Sequence, residues 1–496
     1  MRPKVETGFL IKNSRIQNDI YIPRYYDPRI QSELASLEGS FQLLSLGDLV
    51  EKEQIKHDHG DYVPKIHYGT GPYPYIRTSD ISNWELRASP KHGLSAEVFH
   101  DYAAAQDVRP RDILFVHEGT YLIGTSAMVT TFDGPMLYQH HLAKFRTMPN
   151  AKFSSYFLLA AFGSSIVQRQ IRSKQFSADI IDSVVGRLEE VIIPIPRNAK
   201  READISATTE AAVEGRARWR ERISSFLRVL DRGLKSGDRS EIDAATKRVP
   251  QRSTSAEGQF FLGGREKYVS FAHKASRIVD DILIPKYYDP TIQQDLGEFS
   301  DACELVSIDT LVKRKLLSLS VGDEIGRLSY GTGHIPFVRT SDLATYELKA
   351  DAKHGVETAI WEQYRNSQNV APGDILLVRD GTYLVGSSAL LFEQDLPLLF
   401  CGGIYKLSFP EPEILSPSLC YALLNLSIVR RQMRSKQFTR DVIDTLGHRL
   451  REVVLPLPND KVIRGLISEF VQHACEQRIR LRAQLQSLCG ELFRPR

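Results

Sequence analysis

Cysteine is scarce: the 496 residues hold 5, namely Cys303, Cys401, Cys420, Cys475 and Cys489, all in the second half and with no CxxC pair. That spacing argues against a disulfide framework or a zinc ribbon and fits a reducing compartment. Long apolar runs are missing too. The longest, 153–167, is broken by Ser and Gly, and the opening Met-Arg-Pro-Lys-Val-Glu-Thr lacks the apolar core of a secretion signal. The expectation is a cytoplasmic protein with no membrane span. Charge of one sign is in short supply, since Lys+Arg 64 against Asp+Glu 61 leaves a net +3. A histone-like basic cloak is excluded, and any binding to nucleic acid must use local patches. Two catalytic signatures are absent. No glycine-rich cofactor loop accompanies an Asn/Asp-Pro-Pro-aromatic tetrad, as an adenine methyltransferase centre needs, and no Gly-x-x-x-x-Gly-Lys-Ser/Thr loop supports an ATP-driven motor. What is present is an ordinary globular composition, 42% hydrophobic and 25% charged, in a chain long enough for about three domains.

The chain repeats itself. Tyr25-Tyr26-Asp27-Pro28 recurs as Tyr287-Tyr288-Asp289-Pro290, 262 residues on. The same offset relates Arg77-Thr78-Ser79-Asp80 to Arg339-Thr340-Ser341-Asp342, Gly119-Thr120-Tyr121-Leu122 to Gly381-Thr382-Tyr383-Leu384, and Arg172-Ser173-Lys174-Gln175-Phe176 to Arg434-Ser435-Lys436-Gln437-Phe438. The copies run from about 9 to 232 and from about 271 to 496, joined by a Gly-, Ser-, Lys- and Arg-rich linker over 233–270 with one short helix around 241–247. Two copies are too few for a solenoid and predict pseudo-two-fold symmetry instead.

Within the first copy, residues 40–147 form short strands broken by turns: 42–44, 73–77, 113–116 and 122–129. A helical stretch over 153–172 follows, then a last strand over 190–196 stopped by its prolines. This is an α+β module. After Pro196 the texture changes. Ile205, Thr209, Ala212, Arg216, Trp219, Ile223, Phe226 and Leu230 step by four and three, and Ile467, Val471, Ala474, Arg478, Leu481, Leu485, Leu488 and Leu492 keep the same register in the second copy. Two such seams need each other, and a helix over 205–230 spans roughly 38 Å. An arginine inside each seam, Arg216 and Arg478, is either a register or partner device or a side chain snorkelling to solvent.

A module containing Pro74-Tyr75-Ile76-Arg77-Thr78-Ser79-Asp80-Ile81, then Arg111-Asp112-Ile113-Leu114 and Glu118-Gly119-Thr120-Tyr121, then Ile193-Pro194-Ile195-Pro196 and a long helix, resembles the target recognition domains of type I restriction-modification specificity subunits. The order module, helix, module, helix covers nearly the whole chain. The resemblance implies two tandem α+β modules whose long helices form an antiparallel coiled coil. The division is a first recognition domain over 1–197, a spacer helix over 198–232, the linker over 233–270, a second recognition domain over 271–458 and a second spacer helix over 459–496. It further implies a non-catalytic subunit without cofactor that reads a bipartite site on double-stranded DNA. Such a subunit docks two DNA methyltransferase subunits and, beyond them, restriction or motor subunits. The lead-in Ile22-Pro23-Arg24-Tyr25-Tyr26-Asp27-Pro28 departs from the common form and looks more like recognition regions attached to adenine-N6 methyltransferases, which leaves the host system open. The alternative function is an autonomous site-specific DNA-binding protein, a regulator or a phage-defence sensor.

Reading DNA needs cations and amides on phosphates and donor-acceptor forks at base edges. Arg169, Arg172, Lys174 and Gln175, with Arg431, Arg434, Lys436 and Gln437 in the second copy, are candidates for phosphate contact, against the reading of a solvated helix end. Arg77 and Arg339 precede a Thr-Ser-Asp turn and either lock onto Asp80 and Asp342 or reach DNA. Gly119-Thr120-Tyr121 and Gly381-Thr382-Tyr383 are placed on a hairpin tip from which Thr and Tyr can reach a phosphate or base. If the halves read different bases, the readers belong to the least similar stretches, 52–67 against 314–329 and 130–141 against 392–403. Those stretches hold His57, His59, His67, His140 and His141, whose partners 262 residues on are Leu319, Val321, Ser329, Gly402 and Gly403, so a metal site is not expected. Asp179, Asp182, Asp441 and Asp444 lack the Glu-x-Lys element of a nuclease and are taken as helix caps after Ser177 and Thr439.

Overall fold

The computed structural model describes residues 11, 12, 14, 16, 20–119, 121–178, 181–250, 270–381, 383–440 and 443–494. Contacts divide these into two units. One comprises the residues up to Ala217 and those from Leu481 onward; the other comprises residues within Arg218–Arg480.

In the first unit the apolar run Ile113–Val116 is buried along its whole length, as suits a strand with neighbours on both sides. It sits inside a four-stranded sheet between Leu142–Thr147 and Ser126–Met128, with Ile55–His59 beyond Leu142–Thr147. Two helices, Ser155–Gly163 and Ser165–Lys174, succeed one another behind it. The first is apolar on every side from Tyr156 to Phe162 and buried throughout, the signature of a central helix. Ser154 caps it by accepting the Phe157 amide at 3.1 Å. Ile192–Pro196 pairs antiparallel with Phe41–Ser45 in a two-stranded ribbon, where prolines cause no loss to an inner ladder.

The second unit repeats this strand for strand. Ser318–Val321, Ile404–Ser408, Ile375–Val378 and Ser388–Leu390 form its four-stranded sheet, and Cys303–Ser307 pairs with Val454–Pro458. The α+β class is as the sequence implied.

A helix runs from Ala199 to Ser236 and another from Lys461 to Glu491, and the two pack antiparallel. In the first unit Arg201 reaches the Leu492 carbonyl at 3.2 Å, and Ile205, Ala212 and Val213 share one core with Leu485, Cys489 and Leu492. In the second unit Phe226 packs on Phe470 with ring centroids 4.3 Å apart, and Trp219 meets His473 edge-on at 5.2 Å. Ile223, Leu230, Ile467 and Val471 are buried, whereas Trp219, Leu481 and Leu488 are only half-buried at the seam's margin. A short helix, Arg239–Lys247, follows the first long one. All five cysteines are free and buried. Among the described residues no helix is long and apolar enough to cross a membrane.

Several local expectations are corrected. The strand expected over 122–129 is confined to Ser126–Met128, because Gly124 turns the chain at φ +92°. Gly119 and Gly381 do lie in hairpin loops, between the antiparallel strands Ile113–Val116 and Ser126–Met128 and between Ile375–Val378 and Ser388–Leu390, but these loops are not free tips. Glu118–Gly119 and Asp380–Gly381 are short strands that pair with Ile181–Ser183 and Ile443–Thr445. Ser177 and Thr439 do not open helices, since Phe176–Ala178 and Phe438–Arg440 pair with those same two strands. Glu190 closes a turn before the last strand rather than joining it.

Candidate nucleic-acid interface

The basic run ending Ser165–Lys174 is largely engaged inside its own copy. Arg169 pairs with Glu33, and Lys174 bridges to Glu190 at 2.7 Å while lying over the Tyr25 ring at 4.7 Å. The Tyr25 hydroxyl donates to the same Glu190 at 2.6 Å, and burial followed by that carboxylate pushes its pKa up to about 12. The Gln175 carbonyl accepts from Arg24 at 2.6 Å. The second copy reproduces the arrangement. Arg431 pairs with Asp295, Lys436 with Glu452 at 2.8 Å, and the Tyr287 hydroxyl donates to Glu452 at 2.6 Å. These cations clasp the Tyr-Tyr-Asp-Pro lead-in to the module. Arg172 is exposed, Arg434 is half-buried and Gln437 is buried.

Arg77 and Arg339 open tight turns in which their own amides donate to Asp80 and Asp342, at 3.0 and 2.9 Å. The Arg77 guanidinium donates to Gln139 at 3.2 Å and lies 6.0 Å from the Tyr68 ring, and Arg339 lies 5.7 Å from that of Tyr330. Both carboxylates are buried, and the loss of solvent raises their pKa against the pull of the cations and amides around them. Thr120 and Thr382 fall outside the described residues. Tyr121, two residues beyond Gly119, stands 38% exposed, and Tyr383 is half-buried.

The least similar stretches of the two copies converge beside that strand. In the first copy His59 Nδ1 lies 3.2 Å from His117 Nε2, His117 Nε2 lies 3.0 Å from the His140 carbonyl, and His141 Nδ1 lies 2.7 Å from Glu118. His57 faces Glu189 at 3.1 Å. Burial, then the neighbouring imidazole of His59, depresses His117 to about 4. Burial opposes ionisation of Glu118, but hydrogen bonding from His141 and the nearby imidazoles outweigh it and hold the carboxyl below its usual range. Among the described residues no group of His, Cys, Asp or Glu is arranged to hold a metal ion. In the second copy the same place carries Arg379 and Asp380. Arg379 Nε lies 3.2 Å from Asp380, its guanidinium is 5.6 Å from the Tyr405 ring, and Thr445 donates to Asp380 at 2.5 Å. One copy thus offers imidazoles and the other a guanidinium on an otherwise shared backbone.

Sequence reasoning missed how each module grips the helices. Arg216 is 1% exposed and lies 3.5 Å from Glu85; Arg478 is equally buried and donates to Glu347 at 3.3 Å and to the Thr345 carbonyl at 3.0 Å. Neither arginine snorkels. The residue before each glutamate is an aromatic in left-handed backbone, Trp84 at φ +61° and Tyr346 at φ +62°. Such a conformation is costly for a bulky side chain and persists only where the surroundings enforce it. Trp84 Nε1 and Cys489 Sγ crowd the same face of Gly163, and the Tyr346 hydroxyl lies 3.0 Å from Ser224 Oγ. Each tip therefore puts its carboxylate on the long helix that follows its own module and its ring against the other long helix. The recurrence of Trp84-Glu85 as Tyr346-Glu347 was the available signal.

No family model matches the chain, and no curated protein does. Among solved structures it is similar to the type I restriction-modification S subunit from M. genitalium, at 12% identity over 90% of this chain and 92% of that one, with a TM-score of 0.33. It is also similar to a chain from a structure on complex assembly and conformational transition of the type I R-M system, at 13% identity, 92% and 98% coverage and a TM-score of 0.26. A third is the HsdS subunit from Thermoanaerobacter tengcongensis, at 15% identity, 92% and 95% coverage and a TM-score of 0.25.

Proposed function

We propose that the chain is a non-catalytic specificity subunit of a type I restriction-modification-like complex in the cytoplasm. Each α+β module reads one half of a bipartite site on double-stranded DNA, and the paired helices space the modules and seat two methyltransferase subunits, with restriction or motor subunits joining that core. The observation that carries this reading is the duplication itself: two sequence copies give two modules of one topology, each gripping an antiparallel helix pair through a buried Arg-Glu contact. The recognition surface is assigned to the edge around Glu118–Tyr121 and Asp380–Tyr383 and to Arg172 and Arg434. Arg77 and Arg339 support its turns, and Arg169, Lys174, Arg431 and Lys436 hold the lead-in. The modules end at about 197 and 458.

The test is native mass spectrometry of the tagged protein purified from its own host at low salt, with tryptic identification of what accompanies it. A methyltransferase at two copies per chain is the expected result. A lone chain that still retards one DNA sequence in a gel would replace this reading with an autonomous DNA-binding protein.

A further inference from the structure

The second unit contains a cleft of about 550 Å³ between its module and the C-terminal helix, lined by Gly373, Phe392, Glu393, Gln472, Glu476 and Arg480 among others. The internal repeat shows what belongs there. In the first copy the residue matching Gly373 is Arg111, whose guanidinium lies 3.6 Å from Glu210 and 5.9 Å from the Tyr156 ring. Tyr156 is buried and its hydroxyl donates to Glu214, the counterpart of Glu476, at 2.9 Å. In the second copy Tyr156 is replaced by Ser418, a short side chain that donates to Gln472 at 2.6 Å. The backbone is otherwise shared: the Arg111 amide donates to Val129 at 2.8 Å and the Gly373 amide to Leu391 at 2.9 Å, with φ of +76° and +89°. One copy thus places an arginine and a tyrosine where the other has a glycine and a serine, and the second copy's cleft sets the acids Glu393 and Glu476 against the cation Arg480 on its wall.

We propose that this cleft is a docking site for a protein partner that inserts an arginine stacked on an aromatic side chain, supplying in trans what Arg111 and Tyr156 supply in cis. Because Gln472 stands where the first copy has Glu210, the guanidinium takes the place between Glu476 of the C-terminal helix and Glu393 of the module, and the ring lies under it toward Glu476, an arrangement in which charge and cation–π attraction act together. The site goes beyond the DNA-reading role and makes the two halves of the molecule unequal towards protein partners.

The probe is the capped dipeptide acetyl-Arg-Tyr-amide, titrated into the full-length protein and followed by saturation-transfer NMR. Saturable binding is expected, weakened at least about tenfold in G373R/S418Y, which transplants the first copy's side chains; tenfold corresponds to about 1.4 kcal/mol. Arg111 shows that an arginine can occupy that backbone. E476Q, a single change on an exposed helix position, is expected to weaken binding in the same direction without touching the module. Saturable binding that is unchanged in both variants, or no saturable binding to the wild-type protein, would overturn the proposal. DNA retardation is expected to be unaffected by E476Q, so loss of peptide binding and loss of DNA reading are separate outcomes.

Discussion

Arg216 and Arg478 are the side chains on which the most rests. Each is almost wholly out of solvent with a buried glutamate as its partner. Removing one member of such a pair takes a charge-assisted contact from a buried group that water reaches poorly, a loss of about 3–5 kcal/mol, whereas replacing both with apolar residues of similar volume is close to neutral. Arg216→Ala should therefore destabilise the first unit severely, while the double change Arg216→Met with Glu85→Leu should recover most of the loss; urea unfolding measures both. A second residue-scale consequence concerns acid. His92 and His117 are held neutral down to about 4, chiefly by burial, whereas in an unfolded chain imidazole takes its proton near pH 6.5. Between those values the unfolded state binds more protons, so this contribution to stability is whole above about 6.5 and is lost as the pH falls towards 4. In the second unit the counterpart of His92 is His354, which burial also depresses, but the counterpart of His117 is Arg379, so the second unit has one such imidazole where the first has two. Hydrogen exchange during stepwise acidification should show the first unit opening at a higher pH than the second; simultaneous opening would contradict this origin. Specificity can be addressed at the same scale. Exchanging His140-His141 for the Gly402-Gly403 pair of the second copy should alter the bases preferred in one half-site and leave the other untouched, as read by selection from randomised DNA.

Among elements, the long helices were the most legible in the sequence, because a seam of apolar residues at steps of four and three has no competing explanation over such a length. Placing a charge at Ile223 or Leu485, each about 1% exposed, should separate the paired helices, abolish partner docking and leave each α+β module folded. Co-purification and limited proteolysis check this, and unchanged assembly would count against the spacer role. The strands around the recognition edge were less legible. Glu118–Gly119 is two residues long and gains its partner, Ile181–Ser183, from more than sixty positions away, which no local periodicity announces. The same holds for the basic run. Its charge was plain in the sequence, but whether it faces DNA or a neighbouring carboxylate depends on Glu33 and Glu190, brought up only by the fold. The Trp84 and Tyr346 tips were hidden for a different reason, since left-handed backbone at a bulky residue opposes local preference and is imposed by packing.

For the molecule as a whole, the duplication predicts a bipartite target whose half-sites are similar, with centres roughly one helical turn apart. A net charge of only +3 predicts weak non-specific binding by the lone chain, strengthened when partner subunits enclose the DNA. Gel retardation with and without the partners, at two salt concentrations, measures that difference, and equally tight binding of random DNA by the lone chain would contradict it. The most direct test of the central claim is selection of bound sequences from a randomised duplex library by the assembled complex. The account predicts two short specified blocks separated by a fixed run of unspecified base pairs, with changes in the first module altering one block alone. A single contiguous block, or changes in one module that alter both blocks together, would contradict it.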